Sequence, residues 1–193
     1  MAAARPEWAW GFADEVWFSR LAQPSLSAWV AGPQPLRLFE KTLPAGDKTA
    51  KALACYGLYL PQAPHQEEQM ELRFVEGRPV SALTCAFLEW VVEQIRLCGK
   101  RVLVLFWDNA SWHLSREVKV WLKAQKRRAK QSGGVRLLIC ALPKQSPWLN
   151  RIEPKWVHGK RAVVEPQQVL SGPELAQRLC GYYGCEYLEH LKP

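Results

Sequence analysis

Val102-Leu103-Val104-Leu105-Phe106-Trp107-Asp108-Asn109 is a run of six apolar residues that ends on an acid and an amide. An uninterrupted apolar stretch of this length, bounded by Gly99-Lys100-Arg101 and Asp108-Asn109, reads as a strand buried on both faces, as in a parallel sheet. A carboxylate at the end of such a strand is out of place unless something needs it, because an unpaired buried charge costs several kcal/mol. Asp108 therefore enters as a site candidate. In α/β sheets ligands gather outside the carboxyl ends of parallel strands, which is where it falls.

Around this strand the elements alternate. Val80, Leu83, Phe87, Val91 and Ile95 recur at helical spacing, with Ser81 as expected cap and Cys98-Gly99 as stop. Ser115 is expected to cap a second helix running to about Lys130, with Leu114, Val118, Trp121 and Leu122 as its apolar stripe and Gly133-Gly134 at its end. Val135 to Leu142 reads as another buried strand, Pro143 to Trp148 as a loop and Asn150 to about Arg161 as a helix. Ser171-Gly172-Pro173-Glu174 opens a last helix with a capping box.

Towards the amino end, Trp8, Trp10, Phe12, Asp14, Val16 and Phe18 fall on one face of a strand with period two, while Ala13, Glu15 and Trp17 fall on the other. Asp14 is the intruder among aromatics, and of the two neighbouring acids it is the preferred candidate. Ser27 to Val30, Leu36 to Thr42, Lys51 to Leu60 and Glu71 to Val75 read as antiparallel strands broken by Gly and Pro turns. The fold class expected is α/β, a mixed central sheet flanked by helices, in one domain over residues 1–193.

Bulk composition agrees. The 193 residues are 48% hydrophobic with ten Trp, too apolar for a disordered chain. The longest apolar runs are six residues, far short of the roughly 20 a membrane span needs. Met1 to Glu7 carry no apolar leader, so the cytoplasm is the expected address. Six Cys (55, 85, 98, 140, 180, 185) are read as reduced thiols, and no spacing among them suggests structural zinc. A net charge of +8 favours an anionic partner, nucleic acid first, and Lys123, Lys126, Arg127, Arg128 and Lys130 concentrate it. Cations near a helix C-terminus also complement its dipole without a partner.

If Asp14's strand lies beside Asp108 and the helix carrying Glu153 packs on the same side, three carboxylates converge. Two unit charges about 4 Å apart at an effective dielectric near 20 repel by about 4 kcal/mol, so such a set protonates or captures a cation. Oxygen-only donors select a hard cation such as Mg²⁺ or Mn²⁺, and a pair of such ions can activate water at a phosphodiester. Taken singly, each acid also has a structural reading: Asp14-Glu15 as a strand end, Asp108-Asn109 as a turn, Glu153 as a capping box with Asn150. Pro154 leaves the start of that helix uncertain by a turn. His113, without a partner at ligand spacing, reads as structural.

Trp107-Asp108-Asn109-Ala110-Ser111-Trp112-His113, followed by Leu142-Pro143-Lys144-Gln145-Ser146-Pro147-Trp148-Leu149-Asn150-Arg151-Ile152-Glu153-Pro154-Lys155-Trp156, resembles the second and third acidic motifs of DDE transposases, the bacterial insertion-sequence members of the mariner-related superfamily. Phe12-Ala13-Asp14-Glu15 is similar to the first, shorter motif. The resemblance implies an RNase H-like fold with Asp14, Asp108 and Glu153 as catalytic ligands of two Mg²⁺ or Mn²⁺ ions. It implies DNA strand cleavage by metal-activated water and attack of the freed 3′-hydroxyl on a target phosphodiester. Double-stranded DNA, both element ends and target, is the implied partner, held by Lys126, Arg127, Arg128, Lys130, Lys155, Lys160 and Arg161, with the protein a homodimer on DNA in the bacterial cytoplasm, associated with the nucleoid.

Two departures stand out. Forty-four residues, 109 to 152, separate Asp108 from Glu153, more than is usual in the superfamily. The first strand begins almost at Met1, where family members carry a helix-turn-helix region, so a separately encoded helix-turn-helix protein is an expected partner. The alternatives are a non-catalytic remnant that binds DNA or a transposase partner, and a plain RNase H-like nuclease.

Overall fold

The computed structural model describes residues 5–23, 41–62, 68–165 and 167–192. Five strands form one sheet: β1 (Trp8–Ser19), β2 (Ala52–Leu60), β3 (Gln69–Val75), β4 (Val102–Trp107) and β5 (Arg136–Ala141), in the order β3-β2-β1-β4-β5. The pairs β1–β2 and β2–β3 are antiparallel; β1–β4 and β4–β5 are parallel. Four helices, α1 (Ser81–Leu97), α2 (Arg116–Ser132), α3 (Glu153–Ala162) and α4 (Gly172–Tyr183), complete the described elements with a short 3₁₀ turn at Pro147–Leu149. The mixed sheet flanked by helices is the architecture expected.

Each face of the sheet has its own core. On one side Leu83, Phe87, Val91 and Ile95 of α1 and Val118 of α2 pack on Tyr56, Leu58, Leu103 and Leu105. On the other, Ile152, Trp156 of α3 and Leu175, Leu179 of α4 pack on Phe12, Val16, Phe18, Leu72 and Phe74. Full burial of such side chains contributes roughly 1.5–3 kcal/mol each. The central strand β1 feeds both cores: Ala9 and Ala13 face α1 and α2, whereas Phe12, Val16 and Phe18 face α3 and α4. The period-two assignment of Asp14 and Glu15 to opposite faces is therefore correct.

Several local expectations are also met. Ser115 Oγ accepts from the Val118 amide at 3.3 Å, Gly133 ends α2 with φ of 69°, and Ser171 and Glu174 make a reciprocal capping box. All six cysteines are free.

Others are corrected. The strand β5 is not buried: it is the sheet's edge, and Arg136, Leu138 and Ala141 are exposed, because only one neighbour and part of one helix cover it. Val80, not Ser81, is the N-cap of α1, with no side-chain cap; Ser81 is the first helical residue. Leu114 precedes α2 and is exposed, outside the apolar stripe. The helix expected from Asn150 begins at Glu153, after the 3₁₀ turn, and Glu153 makes no capping box with Asn150. Pro154 is accommodated in the first turn, where its missing N–H is not needed. Of the strands expected at Ser27 to Val30 and Leu36 to Thr42, residues 24–40 lie outside the described residues, and 41 and 42 are not in a strand.

Candidate active site

The parallel register of β1 and β4 pairs Phe12 with Phe106. Two residues further along each strand come Asp14 and Asp108. Asp14 therefore lies within β1 at the level where the neighbouring β4 has run out into Asp108, and Glu153 is the first residue of α3. Its carboxylate sits at a helix N-terminus, where the dipole favours negative charge. Glu153 is common to two adjoining clefts: one lined by Asp108, Asn109, Ser146 and Asn150, the other by Asp14, Glu15, Trp17, Trp156 and Lys160. As the side chains stand, no three His, Cys, Asp or Glu groups among the described residues are close enough to hold an ion. The acids share a site without closing around its centre.

Burial falls on a different acid from the one the apolar run of β4 suggested. Asp14 is 9% exposed, whereas the Asp108 side chain is 52% exposed, because β4 stops at Trp107 and Asp108 already lies in the following turn. The penalty of a buried carboxylate therefore bears on Asp14. Burial first, and then the charge of Glu153, push its carboxyl up from 3.8 to about 7. The indole N–H of Trp156 opposes this by donating to Asp14 Oδ2 at 3.0 Å. Glu153 is raised by burial and by the charge of Asp108, with Lys160 pulling it back. No hydrogen bond or ion pair reaches the Glu153 carboxylate among the described residues.

Asp108 is held differently. His113 Nδ1 lies 3.0 Å from Asp108 Oδ1, and the same oxygen accepts from the Ala110 amide at 2.9 Å. His113 Nε2 lies 2.8 Å from Glu15 Oε1, with both side chains almost fully buried. The imidazole lies flat on Trp107, ring centroids 4.3 Å apart and 5° from parallel. Burial alone would lower the pKa of His113, but its hydrogen bonds to Asp108 and Glu15 outweigh burial and raise it from 6.5 to about 9. The cation in turn lowers Asp108. His113 is thus a charged bridge between two acids, not a core histidine without partners. Its spacing five residues after Asp108 was the available signal; Glu15, 98 residues away, left none.

The basic candidates divide between the two faces of the sheet. Lys126, Arg127, Arg128 and Lys130 are exposed on α2, on the α1 side, where Arg128 also pairs with Glu89 at 3.5 Å and lies over Trp121. Lys155, Lys160 and Arg161 belong to α3 on the opposite side. Lys155 is engaged by Glu68, 2.5 Å away, and lies over Tyr59, while Lys160 lines the Asp14 cleft.

Among solved structures, the chain is similar to the Mos1 transposase paired-end complex with left transposon end, at 14% identity over 93% of this chain and 48% of that one, TM-score 0.67. It is similar to the Mos1 strand transfer complex at 14% identity over 93% and 48%, TM-score 0.63. A third likeness is to the Mos1 mariner paired end complex with Mn, at 15% identity over 91% and 48%, TM-score 0.59. The chain spans about half the length of the chains in these structures. The fold is RNase H-like, with the strand order β3-β2-β1-β4-β5. No curated protein matches the sequence. The description "DDE superfamily endonuclease" matches residues 62–176, a span that contains Asp108 and Glu153 and begins after Asp14. With more than half of its length inside that match, this chain belongs to the DDE superfamily endonucleases.

Proposed function

We propose that this chain is the catalytic domain of a DNA transposase, cleaving DNA strands and joining the freed 3′-hydroxyl to a target, with Asp14, Asp108 and Glu153 as ligands of two Mg²⁺ or Mn²⁺ ions. One observation supports the reading: Glu153, the first residue of α3, borders both the cleft lined by Asp108 and the cleft lined by Asp14. The family supports the nuclease chemistry, and the fold is shared with the Mos1 paired-end complex with left transposon end, the Mos1 strand transfer complex and the Mos1 paired end complex with Mn.

The donor set fits the ions. All three donors are hard oxygens, and burial together with a neighbouring carboxylate raises both Asp14 and Glu153, a cost that a bound cation would offset. Bound ions would supply a nucleophile and neutralise charge at the phosphodiester. The chain itself arranges the ligands. Trp156 holds Asp14 through Oδ2, and His113 with the Ala110 amide holds Asp108 through Oδ1, with no hydrogen bond to Asp108 Oδ2 among the described residues. Lys160 and the exposed cations of α2 supply attraction for phosphate, the sequence-independent part of DNA binding. In this reading residues 1–193 are one catalytic unit that works as a homodimer on double-stranded DNA, with a separately encoded helix-turn-helix protein as a partner.

The test is incubation with supercoiled plasmid and a labelled element end in Mg²⁺, Mn²⁺ or chelator. Metal-dependent nicking and joined product are expected, abolished by Asp108→Asn while DNA binding survives, since that change removes a ligand charge without adding bulk. Hydrolysis without joined product would select a plain nuclease. DNA binding without any cleavage would select a non-catalytic remnant.

A further inference from the structure

Asn150 is an anomaly beside the acids. The residue is 2% exposed, its Oδ1 is fully buried, and neither carboxamide atom is hydrogen-bonded among the described residues. Leaving a polar atom buried and unpaired costs roughly 1–3 kcal/mol, so it calls for an explanation. The backbone of Asn150 is fully used: its amide donates to Pro147 O at 2.8 Å, and its carbonyl accepts from the Glu153 amide at 3.0 Å. Residue 150 is thereby fixed between the 3₁₀ turn and α3, and it is one of the residues lining the cleft that Asp108 and Glu153 share, its Oδ1 lying behind the cleft wall.

We propose that Asn150 is a further ligand-binding residue of this site, its Oδ1 accepting a hard divalent cation held by Asp108 and Glu153, directly or through one of the ion's waters. The inference rests on the function proposed above. An amide carbonyl is a neutral hard oxygen of the kind found among cation ligands, and it adds a donor without adding to the repulsion between the two carboxylates. The Glu153 carboxylate, itself without a hydrogen bond or ion pair among the described residues, is the complementary deficit: it lacks a cation where Asn150 lacks any partner. A purely structural asparagine in this position would have its carboxamide satisfied by the protein, as Asn109 has through its Nδ2 donation to Leu142 O at 2.5 Å.

The test is Mn²⁺ titration of the whole chain without DNA, followed by the electron paramagnetic resonance signal of free Mn²⁺, together with thermal unfolding of the metal-free protein. The proteins compared are wild type, Asn150→Leu, Asn150→Asp and Asp108→Asn. Asn150→Leu is expected to weaken Mn²⁺ binding by about 10-fold or more, on the order found when a supporting ligand is removed, with an unchanged or raised metal-free unfolding temperature. Asn150→Asp is expected to bind Mn²⁺ at least as tightly as wild type, because it keeps the oxygen and adds charge. Wild-type Mn²⁺ affinity in Asn150→Leu, or weaker binding in Asn150→Asp, overturns the inference, as does a destabilised Asn150→Leu that binds Mn²⁺ normally. Should Asp108→Asn lose binding while Asn150→Leu keeps it, only the Asn150 assignment falls. Should Asp108→Asn bind like wild type, or wild type not bind at all, the metal-dependent function falls with it.

Discussion

Gly57 on β2 stands in register with Asp14 on β1, and the space a side chain at position 57 would fill is taken by the ring of Trp156. A Cβ there would lie 2.1 Å from Trp156 Cη2 and 3.0 Å from Ile152 Cδ1. The close approach brings the indole N–H to the deeply buried carboxylate of Asp14. A glycine with no visible role in the sequence thus sets the hydrogen bond that steadies Asp14.

Gly57→Ala should push Trp156 away from β2 and lengthen or break its bond to Asp14. The overpacking is expected to cost about 1–3 kcal/mol of stability, and metal-dependent cleavage should fall with it. Trp156→Phe, which removes the N–H without adding bulk, should reproduce the loss of cleavage with less strain. Urea unfolding and a plasmid-nicking assay on both variants check this. A Gly57→Ala protein as stable as wild type would show that the indole is free to move.

The metal-free protein should lose stability as pH rises from about 4 to 7 on account of Asp14. Its folded pKa of about 7 lies above the unfolded 3.8, so the folded state holds the extra proton in that window. The contribution is fully present below 3.8 and lost as pH passes 7, and the shift corresponds to a free energy of about 4 kcal/mol at most. Asp14→Asn, neutral at every pH, should flatten that limb. Thermal unfolding of the two proteins from about pH 4 to 8 in chelator measures the difference, which is predicted to widen in favour of the variant at higher pH. Curves that stay parallel would contradict the burial penalty. Mg²⁺ should restore stability to wild type at high pH more than to the variant.

His113→Phe keeps the ring on Trp107 but removes both nitrogens. It leaves Glu15 buried and uncompensated, a situation that typically costs about 3–5 kcal/mol. The folded-state pKa of His113 is raised from 6.5 to about 9, so its stabilisation is whole below 6.5 and lost as pH rises through 9, and the penalty of the substitution should be larger at about pH 5 than at about pH 9. Chemical denaturation at the two pH values distinguishes this from loss of packing alone, which would be independent of pH.

The cations on the two faces of the sheet should behave differently. Replacing Lys126, Arg127 and Lys130 by alanine should weaken DNA binding evenly across sequences and flatten its salt dependence by about 0.9 for each phosphate no longer neutralised. Lys160→Ala, in the wall of the Asp14 cleft, should lower cleavage more than binding. Binding isotherms at several salt concentrations, with cleavage rates at saturating DNA, separate the two. An unchanged salt slope in the triple variant would remove α2 from the DNA-binding surface.

Local patterns determined much of this protein. The apolar run of β4, the helical spacing of α1, the caps at Ser115 and Ser171 and the placing of Asp14 and Glu15 on opposite faces follow from side-chain periodicity and hydrogen bonds within a few residues, which a chain carries before it folds. The motifs around Asp108 and Glu153 made the family legible for the same reason. Tertiary structure alone decided the rest. It made β5 an edge, set Asp14 level with Asp108 by pairing β1 with β4, brought Trp156 to Asp14 across 142 residues and gave His113 its second carboxylate across 98. Those relationships depend on which strands become neighbours and which helix covers which face, choices made by long-range packing that no local period encodes.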